Sequence, residues 1–447
     1  MRLRRTFWGV LAVLAASIWG TIRTQDEIFP KITYLCLLLL VTSLILGLLS
    51  VRGFRVKRVS REFRKEYGQV FEERFEIHNA LSFVRPWIEV RDGSNLPGGS
   101  GARVLSWLGK KDTRNYSAYT LLLQRGDYVL GPTILHSGDL FGLFEFQNLI
   151  PHQKHLLVLP YITELDSFPY PPGLLPGGKA QRFRSLDVTP HASGVREYVP
   201  GDALKRIHWP STAKKNKLIV KEFEQNPRAS VWILLDAHKK VHFELPYELQ
   251  DPKVDQFWLW RHRQDVALPP ASFEYAVSIS ASIGRYFIRK GKEVGLVCAE
   301  KKLHILAAEH GERQLGKLLE LLAFLKPEGG MPLQGLVASQ SPHISRGSVV
   351  VLITPLCDDG LLNCVDQILR RDLRPIVVLL DGQSFGAELS VDPRVISGLG
   401  KRNVPTVIVK NGDTLKMSLE KGYAMNSMRE WKPVFDPKTR GIGPNSV

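Results

Sequence analysis

The spacing of apolar positions changes three times along this chain, and each change marks a different kind of structure. Two runs near the start, Phe7–Ile22 and Ile32–Val51, carry no charged residue. At about 1.5 Å per residue of helix they reach roughly 24 and 30 Å, which predicts two membrane-spanning helices. Trp8 and Trp19 stand near the ends of the first run, where indoles favour the interface. The Arg-rich start, apolar run and small residues also fit a cleaved signal peptide. A second full span so close behind favours a retained helix.

From about Phe54 to Pro160 the runs become short and alternating, as in Phe71–His78, Trp87–Arg91 and Tyr119–Leu123, with turn clusters such as Asp92–Gly101 between them. Such a period predicts an all-β, sandwich-like domain over 54–165. Within it, Asp139-Leu140-Phe141-Gly142-Leu143-Phe144 reads as core and turn positions. Residues 166–229 begin with a Pro- and Gly-rich linker. From Ser230 onward the runs are continuously aliphatic: Val231–Leu235, Val294–Cys298, Val349–Ile353, Ile376–Leu380 and Val404–Val409. Helical patterns at Phe273–Lys290, Glu312–Leu325 and Leu361–Arg371 lie between them. Buried parallel strands read this way, so 230–415 is expected to be a doubly wound α/β domain. The segment His242–Pro270 interrupts it and carries Trp258 and Trp260; residues 416–447 form a basic tail expected to fray. The fold class is therefore multi-domain: a transmembrane helical hairpin (1–53), a β domain and an α/β domain.

Charge refines this layout. The 447 residues include 60 Lys and Arg against 44 Asp and Glu, a net +16. Arg2, Arg4 and Arg5 precede the first apolar run, and Arg52, Arg55, Lys57, Arg58, Arg61, Arg64 and Lys65 follow the second. Each basic group beside an anionic leaflet gains about 1 kcal/mol. The placement favours lipid over nucleic acid as the anionic partner. The loop 23–31 holds only two basic residues, so the positive-inside bias puts both termini and the soluble domains in the cytoplasm. Cys36, Cys298, Cys357 and Cys364 show no metal or redox spacing and read as reduced, buried thiols.

The densest cluster of chemistry runs Gly194-Val195-Arg196-Glu197-Tyr198-Val199-Pro200-Gly201-Asp202, then Arg206-Ile207-His208-Trp209 and Ala213-Lys214-Lys215. Pro200-Gly201 makes a turn, Asp202 can cap the helix expected from Ala203, and Asp202 and Arg206 stand four apart, as an ion pair requires. Ile207 and Trp209 read as apolar anchors. One reading makes the cluster a clamp between the soluble domains; the other makes it a docking surface. A third possibility uses Arg196, Glu197, Asp202 and His208 as acid–base groups of a ligand-binding or hydrolytic enzyme. No phosphate loop, nucleophile elbow or Cys–His arrangement appears. His238, His242 and His262 lack a fixed metal-site spacing and read as solvated loop histidines.

This cluster resembles the signature of the bacterial and archaeal domain of unknown function 58 family, with Arg196, Glu197, Tyr198, Pro200, Gly201, Asp202, Arg206, Ile207, Trp209 and Ala213 matching. Lys214 stands where that family usually has arginine, and Pro210 follows Trp209. The order of two membrane helices, β domain, signature and α/β domain is also similar to the family, and the α/β part resembles a von Willebrand factor A-type domain. Such domains hold a divalent cation on an Asp-x-Ser-x-Ser loop. Here the loop reads Asp236-Ala237-His238-Lys239-Lys240, and the later Thr-Asp step reads Thr354-Pro355. A charged lysine cannot ligate and repels a cation, so no metal or other cofactor is expected. The resemblance implies a non-enzymatic, membrane-tethered scaffold that recruits proteins, with MoxR-type AAA+ ATPases and transglutaminase-like membrane proteins as the partner classes.

Overall fold

The structure, a computed structural model, describes residues 2–24, 26–60, 62–99, 101–151, 153–169, 192–199, 207–223, 230–247, 267–388 and 391–421. The chain divides into two compact units. The first comprises Met1–Ile162 with 246–270 and 316–325; the second comprises Thr163–Leu245, Ala271–Leu315 and Lys326–Val447.

Helices α1 (Arg5–Arg23) and α2 (Ile28–Ser50) open the first unit. Both are long and apolar enough to cross a membrane, and only 11% and 17% of their apolar windows are buried. The core helix of a globular body hides a broad apolar stripe. These two expose apolar residues on nearly every side.

Three sheets follow. A five-stranded antiparallel sheet runs in the order Arg2–Leu3, Phe144–Ile150, Thr133–Gly138, Arg85–Asp92, Arg103–Leu108. A three-stranded sheet places Val70–Asn79 between Phe54–Ser60 and Thr113–Leu121. The two sheets share one core, in which Phe54, Phe75, Ile77 and Tyr116 meet Ile88, Val90, Leu108 and Leu135. A smaller sheet, with Lys154–Leu159 between Arg64–Glu66 and Gly126–Leu130, contributes to a second core around Phe71, Leu122, Leu130, Leu156 and Val158. The expected two-sheet sandwich is thus present in part, as three sheets around two cores.

Arg58 corrects a sequence-based expectation. It was placed beside lipid, yet it is 5% exposed and lies inside the β region. Strand Phe54–Ser60 alternates, so Phe54 and Arg58 point inward while Arg55 and Lys57 stay exposed. Arg58 Nε and Nη2 donate to the two carboxylate oxygens of Glu73 at 2.6 Å each, and Nη1 donates to Asp92 at 2.8 Å. The guanidinium also stands over the Phe75 ring. Burial pushes the Glu73 carboxyl up against the pull of Arg58.

The five-stranded sheet is packed against the helical pair. Phe144 and Phe146 join Val51, Leu143 and the helix residues Phe7, Val10, Leu39 and Leu40 in one cluster. Gly47 of α2 permits the approach, because a Cβ there would lie 2.5 Å from the Phe146 ring. Arg85, fully buried at the start of its strand, donates to the carbonyls of Leu49 and Arg52 and so satisfies the C-terminal end of α2. It lies over the rings of Phe54 and Phe83. Burial lowers its pKa to about 10.

The second unit carries a two-stranded ribbon, Ala192–Glu197 with Ile219–Phe223, and the short helix α3 (Trp209–Lys215). Its main sheet has six strands: β1 (Val231–Leu235), β2 (Val294–Ala299), β3 (Leu303–Glu309), β4 (Val349–Thr354), β5 (Arg374–Leu380) and β6 (Thr406–Val409). Their order is β3-β2-β1-β4-β5-β6, all parallel except β3. Helices α4 (Ser272–Arg289), α6 (Leu333–Gln340), α7 (Asp359–Leu369), α8 (Pro393–Lys401) and α9 (Leu415–Glu420) belong to this unit, and α5 (Glu312–Phe324) begins in it and continues into the 316–325 stretch of the first. Strands β1, β2, β4 and β5 are almost wholly buried, as their aliphatic runs anticipate. Strand β3 went unanticipated because it is an alternating, half-exposed edge. Helix α9 occupies the start of the expected tail and buries Leu415 and Leu419; residues 422–447 lie outside the described residues.

Candidate functional site

Chain order reverses across the middle of this sheet. From β1 the chain moves to β2 and β3 on one side, then returns to β4 on the other. Loops leaving the carboxyl ends of β1 and β4 therefore part, and such switch points are where open α/β sheets bind ligands.

Asp236 lies just past β1 and is buried, as is Thr354 at the end of β4. Thr354 Oγ1 donates to Asp236 Oδ2 at 2.8 Å, and the backbone N–H of His238 donates to Oδ1 at 3.0 Å. Thr354 Oγ1 also accepts from the Leu356 N–H at 3.0 Å. The loop after β1 thus closes on itself, with the carboxylate held by a hydroxyl and an amide of this chain. Among the described residues, no group of three or more His, Cys, Asp or Glu is placed to hold a metal ion.

His242 is not a solvated loop residue as expected. Its Nε2 donates to the Asp236 backbone carbonyl at 2.8 Å, and its Nδ1 lies 3.0 Å from Ser272 Oγ at the start of α4. Ser272 Oγ accepts from the Phe243 N–H at 3.0 Å, which leaves its own proton to be given to Nδ1. Both ring nitrogens are then satisfied by the neutral imidazole. Desolvation lowers the His242 pKa accordingly. Thirty positions separate His242 from Ser272, and nothing in their spacing announces the pair.

Beside this closed loop is a cavity of about 590 Å³ lined by Lys240, Val241 and Phe243 after β1, Leu356, Cys357 and Asp358 after β4, and Gly386, Glu388 and Val391 after β5. Asp358 caps α7 by accepting from the Leu361 N–H. All four cysteines are free; three are buried, and Cys357 is half-buried at the cavity.

The signature segment is described in part. Gly201, Asp202 and Arg206 lie outside the described residues, as do Pro200, Trp258, Trp260, His262 and the linker from 170 to 191. Arg196 falls on the ribbon strand, opposite Val220. Glu197 is exposed and pairs with Lys217 at 3.1 Å. Tyr198 N–H donates to Leu218 O, and His208 N–H to Ile219 O, so the segment folds back on its own ribbon. His208 Nδ1 lies 2.7 Å from Ser211 Oγ. Ile207 is buried, as expected of an anchor, but Trp209 is 65% exposed, with Val199 and Leu218 also exposed. Trp209 opens α3, and the short helix leaves its first turn on the surface. Lys214 is exposed on the same helix.

The family model described as "Protein of unknown function DUF58" matches residues 194–247. The chain is also 21% identical over 331 residues to the uncharacterized protein YeaD of Bacillus subtilis (strain 168), covering 71% of this chain and 74% of that one. Both matches support the DUF58 family. The DUF58 match takes in the ribbon, α3, β1, Asp236 and Lys240, so it runs from the signature segment into the switch-point crevice. Among solved structures, the CARDB domain of the PF1109 protein from Pyrococcus furiosus is similar at 14% identity over 24% of this chain and 87% of that one, with a TM-score of 0.18. The Pseudomonas fluorescens alkylpurine DNA glycosylase AlkC, bound to DNA containing an abasic site analog, is similar at 10% identity over 34% of this chain and 44% of that one, also with a TM-score of 0.18. Neither likeness carries an argument about this chain.

Proposed function

We propose that this chain is a membrane-anchored, non-enzymatic adaptor whose α/β unit receives a protein partner. In this reading α1 and α2 cross the bilayer as a hairpin, with both flanks and the soluble units on the cytoplasmic side. The α/β unit is a von Willebrand factor A-type domain that has lost its metal chemistry. The observation that carries the reading is the closed Asp236–Thr354 pair: the carboxylate that would ligate a cation is instead spent on a hydroxyl and an amide. The strand order, with its one antiparallel strand beside β2, supports the domain type. Exposed Trp209, Val199 and Leu218 beside Lys214 favour docking over a buried clamp. The family resemblance points to MoxR-type AAA+ ATPases as the partner class, with transglutaminase-like membrane proteins as further candidates.

A photo-crosslinking residue placed at Trp209 or Lys240 in intact membranes tests this. The expected adduct is an AAA+ ATPase, retained when magnesium and manganese are chelated. Repeated recovery of no protein adduct at either position, or micromolar binding of magnesium by the purified full chain, would falsify the reading.

A further inference from the structure

The registers of the five-stranded sheet place a set of exposed side chains at one end of it. Arg85 stands opposite Leu108, and Arg85 also holds the C-terminal end of α2. Leu3, two residues before α1, stands opposite Phe144. Arg4 N–H donates to Leu143 O, and the Thr6 hydroxyl donates to Gly142 O. The loop 139–143, the strand end at 107–108 and the turn 109–112 therefore all lie where α1 begins and α2 ends. Two backbone bonds fix the turn there: Lys111 N–H to Leu81 O, and Ala80 N–H to Gly53 O, three residues past α2.

This end is built to present apolar and basic groups outward. Leu140 is 60% exposed and Phe141 51%. Of the run expected to supply core and turn positions, Leu143 and Phe144 are core, while Leu140 and Phe141 stand on the turn and face outward. The loop that displays them is rigid: buried Asp139 accepts from the N–H groups of Phe141, Leu143 and Phe144 at 2.9, 2.9 and 2.7 Å. Trp107 is 69% exposed and has a φ of 54°, a backbone conformation uncommon for a bulky side chain. Val84 is exposed at the foot of the Arg85 strand, and Lys110 and Lys111 are exposed on the turn. An indole, aliphatic and phenyl tips, and flanking lysines make up the set that settles at the boundary of an anionic bilayer.

We propose that this end of the sheet, carrying Val84, Trp107, Lys110, Lys111, Leu140 and Phe141, rests in the headgroup layer of the same anionic leaflet from which α1 and α2 emerge. The proposal rests on the membrane-anchored reading above. Continuity of the chain decides the partner: the surface is hydrogen-bonded to residues within two positions of α1 and three of α2. The β region is then held flat on the bilayer and does not swing from a tether.

The test uses the full chain with Cys357→Ser, reconstituted in vesicles containing one-third phosphatidylglycerol. An environment-sensitive fluorophore is attached at Trp107→Cys, Phe141→Cys or Ala102→Cys, with nitroxide lipids labelled near the headgroup as quenchers. Ala102 is exposed just before the strand Arg103–Leu108, five residues from Trp107, roughly 16 Å at about 3.3 Å per extended residue. A fourth label at Leu38→Cys, within α2, reports the anchor itself through nitroxides deep in the acyl chains. The expected result is quenching at 107 and 141 at least twofold stronger than at 102. That difference should shrink in purely zwitterionic vesicles and when Lys110→Glu and Lys111→Glu are combined. Quenching at 38 with 107 and 141 no stronger than 102 overturns this proposal and leaves the anchor standing. No quenching at 38 overturns the anchored reading, and this proposal with it.

Discussion

At the scale of single residues, two buried polar groups should report on the fold through pH. His242 is neutral in its hydrogen-bonded setting, and its folded-state pKa lies below the usual 6.5. Below about pH 6.5 the unfolded chain therefore takes up a proton that the folded chain refuses. Stability from this group is full above that value and falls as the pH drops beneath it. Thermal unfolding of the full chain in detergent should show that slope between about pH 6.5 and 5, and His242→Gln should flatten it. Arg58 gives a second test. Removing one member of a buried charge cluster costs about 3–5 kcal/mol, because the partners remain buried without compensation. Arg58→Leu should lose that much at pH 8 and less at pH 5, because burial raises the Glu73 carboxyl and makes its neutral form easier to reach as the pH falls. An equal loss at both values would show that the Glu73 carboxylate is not what suffers.

At the scale of elements, legibility in the sequence followed burial. Strands β1, β2, β4 and β5 are enclosed on both faces, so their aliphatic runs could be read directly. Helices α4, α5 and α7 came within two residues of their expected limits, since each has one apolar face. Strand Phe54–Ser60 lies within the stretch read as β, but its inward-facing Arg58 read as a lipid-side charge, because its partners Glu73 and Asp92 lie 15 and 34 positions away. The candidate site was legible in its chemistry and not in its wiring. Asp236 and Thr354 were picked out as the remnants of a metal loop, yet the bond between them spans 118 positions. His242–Ser272 and the Arg85 cap could not be read at all, for they depend on tertiary registers. The Arg85 cap yields a prediction of its own. Arg85→Met keeps the stem and removes the donors to Leu49 and Arg52, so the last turn of α2 should open more often. A loss of about 1–3 kcal/mol is expected. Amide exchange across Leu49–Gly53 should quicken about tenfold or more while the α/β core stays protected.

At the scale of the whole molecule, α1 and α2 dominate physical behaviour. Their apolar surfaces are exposed nearly all round, and exposed surface of that extent does not persist in water. The full chain should remain with the membrane fraction through high salt and alkaline carbonate, and leave it only in detergent. Recovery in the soluble fraction after a salt wash would mean that the chain is held by charge alone. Deleting residues 2–50 is expected to do more than free the body, because Leu143, Phe144 and Phe146 would lose their cover and Arg85 the carbonyl of Leu49. Aggregation of such a truncation, visible in light scattering, separates a docked anchor from a simple leash.

One strand has a further consequence. Phe144–Ile150 pairs with Leu3 ahead of α1 and meets Gly47 near the close of α2. Both ends of the helical pair are thereby fastened to a single ribbon of backbone, which can form only when the two helices double back. In the membrane-anchored reading, the edge of this sheet is complete only once both helices have doubled back.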